Sequence, residues 1–152
     1  EDILINNLYE YYNNKYNNLF DNINFYEYEK IPEKFIEKYK DKVCWNNILE
    51  YQKLSEEFIK KYNDKVDWSL ISKYQKLSEE FIEKYNDKVN WEYISKCQKL
   101  SEKFINKYKD KVNWEYISRY QMLSKDFIDK YNFNKTQFGK SFWIKFHKLV
   151  KT

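Results

Sequence analysis

Glycine, proline, alanine and arginine are nearly missing from this chain. Its 152 residues hold one Gly, one Pro, a single Arg at position 119 and no Ala. One glycine excludes Gly-rich phosphate-cradling loops and hairpin turns that require positive φ. One histidine (His147) and two cysteines (Cys44, Cys97) are too few for the usual zinc sites. No apolar run approaches the roughly 18 residues a membrane helix needs. The acidic, polar start EDILINN predicts no secretory leader. The cysteine usage suits a reducing compartment. Together these absences lead us to expect a cytoplasmic protein with no cofactor, metal, membrane partner or small-molecule substrate. The scarce residues have GC-rich codons and the abundant ones AT-rich codons, which points to an AT-rich genome.

Aromatic residues are plentiful: 16 Tyr, 11 Phe and 5 Trp, or 21% of the chain. A mean hydropathy of −0.99 would by itself suit disorder. Disordered chains are poor in aromatics, however, and these recur in register. Trp45, Trp68, Trp91 and Trp114 lie 23 residues apart, as do Phe35, Phe58, Phe81, Phe104 and Phe127. Four units follow, at 31–53, 54–76, 77–99 and 100–122. A fifth starts at Leu123 and loses the pattern after Asn132, and a decayed one fits residues 8–30, where Leu8, Tyr16, Asp21, Phe25, Tyr28 and Lys30 keep register.

Each unit predicts two short helices. Ser78 caps the first, with Glu79 and Glu80 at the positive end of its dipole. Leu77 and Ile82 have hydrophobic-staple spacing. Val89, Asn90 and Ile94 repeat the device for the second helix, and Asp67 and Asn113 fill the same cap slot. At 100° per residue Phe81, Ile82, Tyr85 and Val89 share one face, and Trp91, Ile94, Cys97 and Gln98 another. Asn63 and Asn86 are the expected left-handed C-caps. Phe142, Trp143, Phe146, Leu149 and Val150 predict a last amphipathic helix. The expected fold is all-α: a short α-solenoid of 23-residue helix–turn–helix repeats with atypical capping ends. It forms one domain over 1–152, with a degenerate repeat at 8–30, regular repeats at 31–131 and a capping helix within 132–152.

Four constellations carry chemistry worth weighing. The Trp series suits base stacking, but its phase beside Ile94 favours sealing of adjacent units. Gln52, Gln75, Gln98 and Gln121 lie on the core face, where a polar group needs partners; tying down a helix end is favoured over a recognition row. The Asp-Lys pairs (Asp41/Lys42, Asp64/Lys65, Asp87/Lys88, Asp110/Lys111) read as repeated loop fasteners rather than catalytic dyads. Charge is the fourth. The net +4 permits weak attraction to nucleic acid. Glu57–Lys61, Glu80–Lys84, Glu92–Lys96 and Glu115–Arg119 have i,i+4 spacing and neutralise the middle units. The basic, aromatic end with Lys140, Phe142, Trp143, Lys145 and Lys148 is the better phosphate or acidic-partner patch.

Binding residues are expected where the repeats differ. One position of the second helix reads Asn47, Leu70, Tyr93, Tyr116, and the outward one reads Glu50, Lys73, Lys96, Arg119. Tyr and Arg are enriched at interface hot spots. The binding candidates are therefore Leu70, Tyr93, Tyr116, Lys73, Lys96 and Arg119, together with the C-terminal patch.

The units LSEEFIEKYNDKVNWEYISKCQK (77–99) and LSEKFINKYKDKVNWEYISRYQM (100–122) resemble the tandem 23-residue helical repeats of proteins from giant DNA viruses, phages and AT-rich bacteria. The likeness covers residues 31–131. It implies a viral, phage or mobile-element origin and a non-enzymatic protein that binds a host protein or complex. In its most concrete form this is an anti-defence inhibitor, such as an anti-CRISPR, acting by steric occlusion. The alternatives are a nucleic-acid-binding module centred on the C-terminal end, and a structural or self-assembling repeat protein.

Overall fold

The computed structural model describes residues 2–131. Among these the chain is all-α, with eleven α-helices, one 3-10 turn and no strand. Contacts divide the chain into two compact bodies, residues 1–76 and 77–152. The first holds α1 (Asp2–Lys15), a 3-10 turn (Leu19–Asp21), α2 (Ile23–Tyr28), α3 (Glu33–Lys38), α4 (Trp45–Tyr51), α5 (Glu56–Lys61) and α6 (Trp68–Tyr74). The second holds α7 (Glu79–Lys84), α8 (Trp91–Cys97), α9 (Glu102–Lys107), α10 (Trp114–Tyr120) and α11 (Lys125–Lys130). In the first body α2 packs on α4 and α4 on α6, and in the second α8 packs on α10. Each body is thus a short run of helical-repeat solenoid. The predicted final helix, with Phe142, Trp143, Phe146, Leu149 and Val150, lies outside the described residues.

The caps read from sequence start these helices. Ser55, Ser78, Ser101 and Ser124 accept from the backbone N–H of the Phe three residues on. Asp67, Asn90 and Asn113 cap the second helices in the same way. In the regular repeats the helices are only six and seven residues long. Such lengths do not hold alone in water, so burial must supply what propensity cannot. Adjacent Phe-Ile pairs such as Phe58–Ile59 and Phe104–Ile105 are buried from the first helices, and Ile71, Ile94 and Ile117 from the second.

Helix termination differs from expectation. Among the described residues the only non-glycine residue at positive φ is Asn18, at 51°. Asn63 and Asn86 are therefore not left-handed caps. Their side-chain amides instead donate to the carbonyls of Lys60 and Glu83, three residues back. The first helix stops at Lys84, and the Tyr85 carbonyl accepts from the N–H groups of Lys88 and Val89. Val89 consequently reaches the core from a turn rather than from the helical face.

Gln52, Gln75 and Gln121 each tie their own hairpin to the preceding one. Gln75 Nε2 donates to the carbonyls of Leu49 (2.6 Å) and Gln52 (2.7 Å), and its Oε1 accepts from Leu54 N–H (2.9 Å). In the second body Gln121 does the same with Ser95 O, Gln98 O and Leu100 N–H, at 2.9, 2.8 and 3.0 Å. These are backbone groups that the end of a helix leaves without intrahelical partners. The Trp residues seal hairpins as expected. Trp45 packs on Phe58 and Tyr62, Trp91 on Phe104 and Tyr108, and Trp114 on Tyr131.

The N-terminal end departs from the repeat. Helix α1 spans 14 residues where a regular first helix has six. Tyr12 takes the Phe slot and packs on Phe25 and Phe35, at 5.0 and 5.5 Å between ring centroids. Lys15 Nζ and the Tyr16 hydroxyl both donate to Glu29 Oε1, at 2.6 and 2.7 Å. The Lys15 bond holds the Glu29 carboxyl below its ordinary pKa.

Two stability measurements follow. Gln75→Ala strands three backbone groups and should cost about 3 kcal/mol in urea unfolding, against near zero for the exposed Lys76→Ala. Cys44 occupies an N-cap slot without a side-chain cap bond, so Cys44→Asn should stabilise by about 1 kcal/mol in the same assay.

Candidate functional site

The periodic charges are spent between repeats. Lys61 pairs with Glu37, and Lys65 Nζ lies 3.1 Å from Asp41 Oδ1. In the second body Lys107 pairs with Glu83 and Lys111 with Asp87, at 2.5 and 3.1 Å. The Asp-Lys fasteners thus join residues 24 positions apart in chain. Glu33, Glu79 and Glu102 accept from both the N–H and the hydroxyl of the next first-helix cap, Ser55, Ser101 and Ser124 respectively. Of the i,i+4 pairs read from sequence, Glu115–Arg119 forms at 2.8 Å. Lys61 reaches back to Glu37, because the stacked hairpin brings a carboxylate from the preceding turn alongside.

The second helices present a different surface. Leu70 is half-buried and Lys73 exposed on α6 of the first body, where the Lys73 ammonium lies 2.7 Å from the Tyr74 hydroxyl. In the second body Tyr93 and Tyr116 are half-buried, and Lys96 and Arg119 exposed. The Tyr116 hydroxyl donates to Glu92 Oε1 at 3.2 Å. The Lys96 ammonium stands 5.4 Å from the Tyr116 ring centroid and 5.9 Å from that of Tyr120. Four of the predicted residues, Tyr93, Lys96, Tyr116 and Arg119, therefore share the α8–α10 pair. Lys140, Phe142, Trp143, Lys145 and Lys148 lie outside the described residues.

One expectation is overturned here. Cys97 was placed on the core face, yet it is exposed. Tyr74 and Tyr120, in the same slot, are 37% and 51% exposed. The interior position belongs to Ser72, Ser95 and Ser118, which are buried. Ser95 Oγ donates to Trp91 O (2.6 Å) and accepts from Asn113 N–H (2.8 Å), so its polarity is fully used. A small hydroxyl fits between closely packed helices where a tyrosine ring would not, and the ring turns outward. The recurrence of Ser at one helical phase, one residue after the core Ile, was the available signal.

Cys97, Lys96 and Lys99 border an open groove of about 450 Å³ at the C-terminal ends of α8 and α10, opposite Tyr120, Gln121 and Met122. Met122 is 77% exposed. Among the described residues no group of three or more His, Cys, Asp or Glu is arranged to hold a metal. No described helix is long and apolar enough to cross a membrane. Comparison with known proteins returns no matching family, curated protein or solved structure.

Glu92 acts on the hydroxyl of Tyr116. Its hydrogen bond, then its charge, raises the Tyr116 pKa above the ordinary tyrosine value. Removing that charge by Glu92→Gln should lower it. An NMR titration of ring-labelled tyrosine checks this, and an unchanged Tyr116 midpoint would show that the bond does not persist in solution.

Proposed function

We propose that this chain is a non-enzymatic protein-binding scaffold whose contact surface is the outward face of its second helices. The carrying observation is the gathering of Lys96, Tyr116, Arg119 and Tyr120 on α8 and α10, with aromatic rings held partly in solvent. Tyr and Arg are among the residues enriched at interface hot spots. Leu70 and Lys73 on α6 present the same positions in the first body. A backbone clamped between hairpins within each body loses little freedom when a partner docks, which favours binding by preorganisation. Such a surface would occlude a host protein or defence complex by steric blockage. The anti-defence form of the reading draws its support from the resemblance of the repeats to viral and phage proteins.

The nucleic-acid alternative gains little from the described residues. Lys61, Lys65, Lys107 and Lys111 are each paired with a carboxylate, and Arg119 faces Glu115. A clean basic stripe for phosphates is missing from these hairpins.

Site-specific photocrosslinking tests the scaffold reading. A benzophenone side chain at Tyr93 or Tyr116 should capture one defined protein in cells of the host, and the same group at Lys60 or Lys103 on the first helices should not. Equal capture from both faces, or none from either, would end the proposal.

A further inference from the structure

We infer that the groove formed by Lys96, Cys97 and Lys99 against Tyr120 and Met122 docks an acidic peptide segment that carries an apolar side chain between its carboxylates. This deepens, and rests on, the scaffold reading above.

Two departures from the repeat meet in this one place. The slot filled by Tyr51, Tyr74 and Tyr120 holds Cys97. The slot filled by Lys30, Lys53, Lys76 and Lys99 holds Met122. The first exchange removes a ring from the groove wall. The second replaces an ammonium with a flexible thioether that lies 77% exposed. Methionine adapts its shape to an incoming apolar group and makes favourable sulfur–aromatic contacts. The open volume, about 450 Å³, exceeds what one large side chain occupies.

Charge selects the occupant. Lys96 and Lys99 line the groove, and none of its lining residues is Asp or Glu. The position of Lys96 holds Lys73 on α6 and Arg119 on α10, and Glu50 on α4, so the outward sign there is positive from α6 onward. The Lys96 ammonium rests over the Tyr116 and Tyr120 rings, which restricts it before a carboxylate arrives. The far wall is rigid, because Gln121 is bonded to Ser95, Gln98 and Leu100. An apolar side chain would enter between Cys97 and Met122 while flanking carboxylates meet the two ammonium groups.

The test uses the full chain and a fluorescein-labelled peptide, Asp-Glu-Leu-Asp-Glu-Phe-Asp-Glu, followed by anisotropy. Two control peptides replace its acids by Asn and Gln, or by Lys. The acidic peptide should bind at least about tenfold more tightly than either control. Cys97→Tyr, Met122→Lys and Lys99→Glu should each weaken it by about tenfold or more. Cys97→Tyr restores the residue other repeats carry, and an unchanged thermal midpoint will show that it folds. With Cys44 replaced by Asn, the acidic peptide should also slow maleimide labelling of Cys97. Binding within twofold of wild type in Cys97→Tyr and Lys99→Glu, or equal affinity for all three peptides, overturns the inference. So does a dimer that Cys97→Tyr converts to monomer, since the groove would then hold a second copy. Crosslinking from Tyr116 that persists while the acidic peptide fails sinks this inference alone; its loss as well sinks the scaffold reading.

Discussion

The structure depends on the glutamine that closes each hairpin. Gln75 and Gln121 each satisfy two carbonyls of the hairpin before them and the first amide of their own, in surroundings where those groups have little water to turn to. A seven-residue helix has few internal hydrogen bonds and leaves most of its terminal groups unmet. Stacking such helices is tolerable only if something meets those groups at every step. An amide side chain has one acceptor and two donor hydrogens, which is the set required. Hydrophobic burial of the Phe and Ile rows drives association, and the clamp decides the spacing at which it happens.

Around this clamp the remaining polar groups fall into ladders. Ser caps bond to Glu of the preceding repeat, and Lys to Glu or Asp of the preceding repeat. Exposed pairs of this kind add little stability singly. Their functional consequence is larger, because they neutralise the first-helix side. On the outward face of the second helices the repeats differ in charge and ring content. A binding surface can vary on that face without disturbing the stack, which is why the proposed contacts fall on it, with the Cys97–Met122 groove at the C-terminal ends of the same helices.

The legible part of the fold was local. Ser78, Asp67, Asn90 and Asn113 cap helices because a short side chain with an acceptor oxygen suits that position in any context. The staples, the period and the role of Gln followed from spacing and phase. The misreadings came from helical phase and C-cap preference applied without the packing. Cys97 was placed on the core face by helical phase, and the packing gives that interior position to Ser95 instead. Asn63 and Asn86 were assigned a backbone role that their side chains perform instead. Of the candidate site, Tyr93, Lys96, Tyr116 and Arg119 were legible as variable positions. Tyr120, Cys97 and Met122 were not, since their exposure depends on how neighbouring hairpins approach.

The near absence of glycine excluded phosphate loops and hairpin turns that require positive φ, and the 23-residue period with its caps determined short helices that must stack. Periodicity and capping act within one hairpin, so one sequence is enough to read them. Tertiary structure decided the partners 24 residues away, the inward serine, the outward tyrosine and the meeting of Cys97 with Met122. Those outcomes depend on interhelical distance and on which volumes fit inside it, quantities that exist only once hairpins have packed.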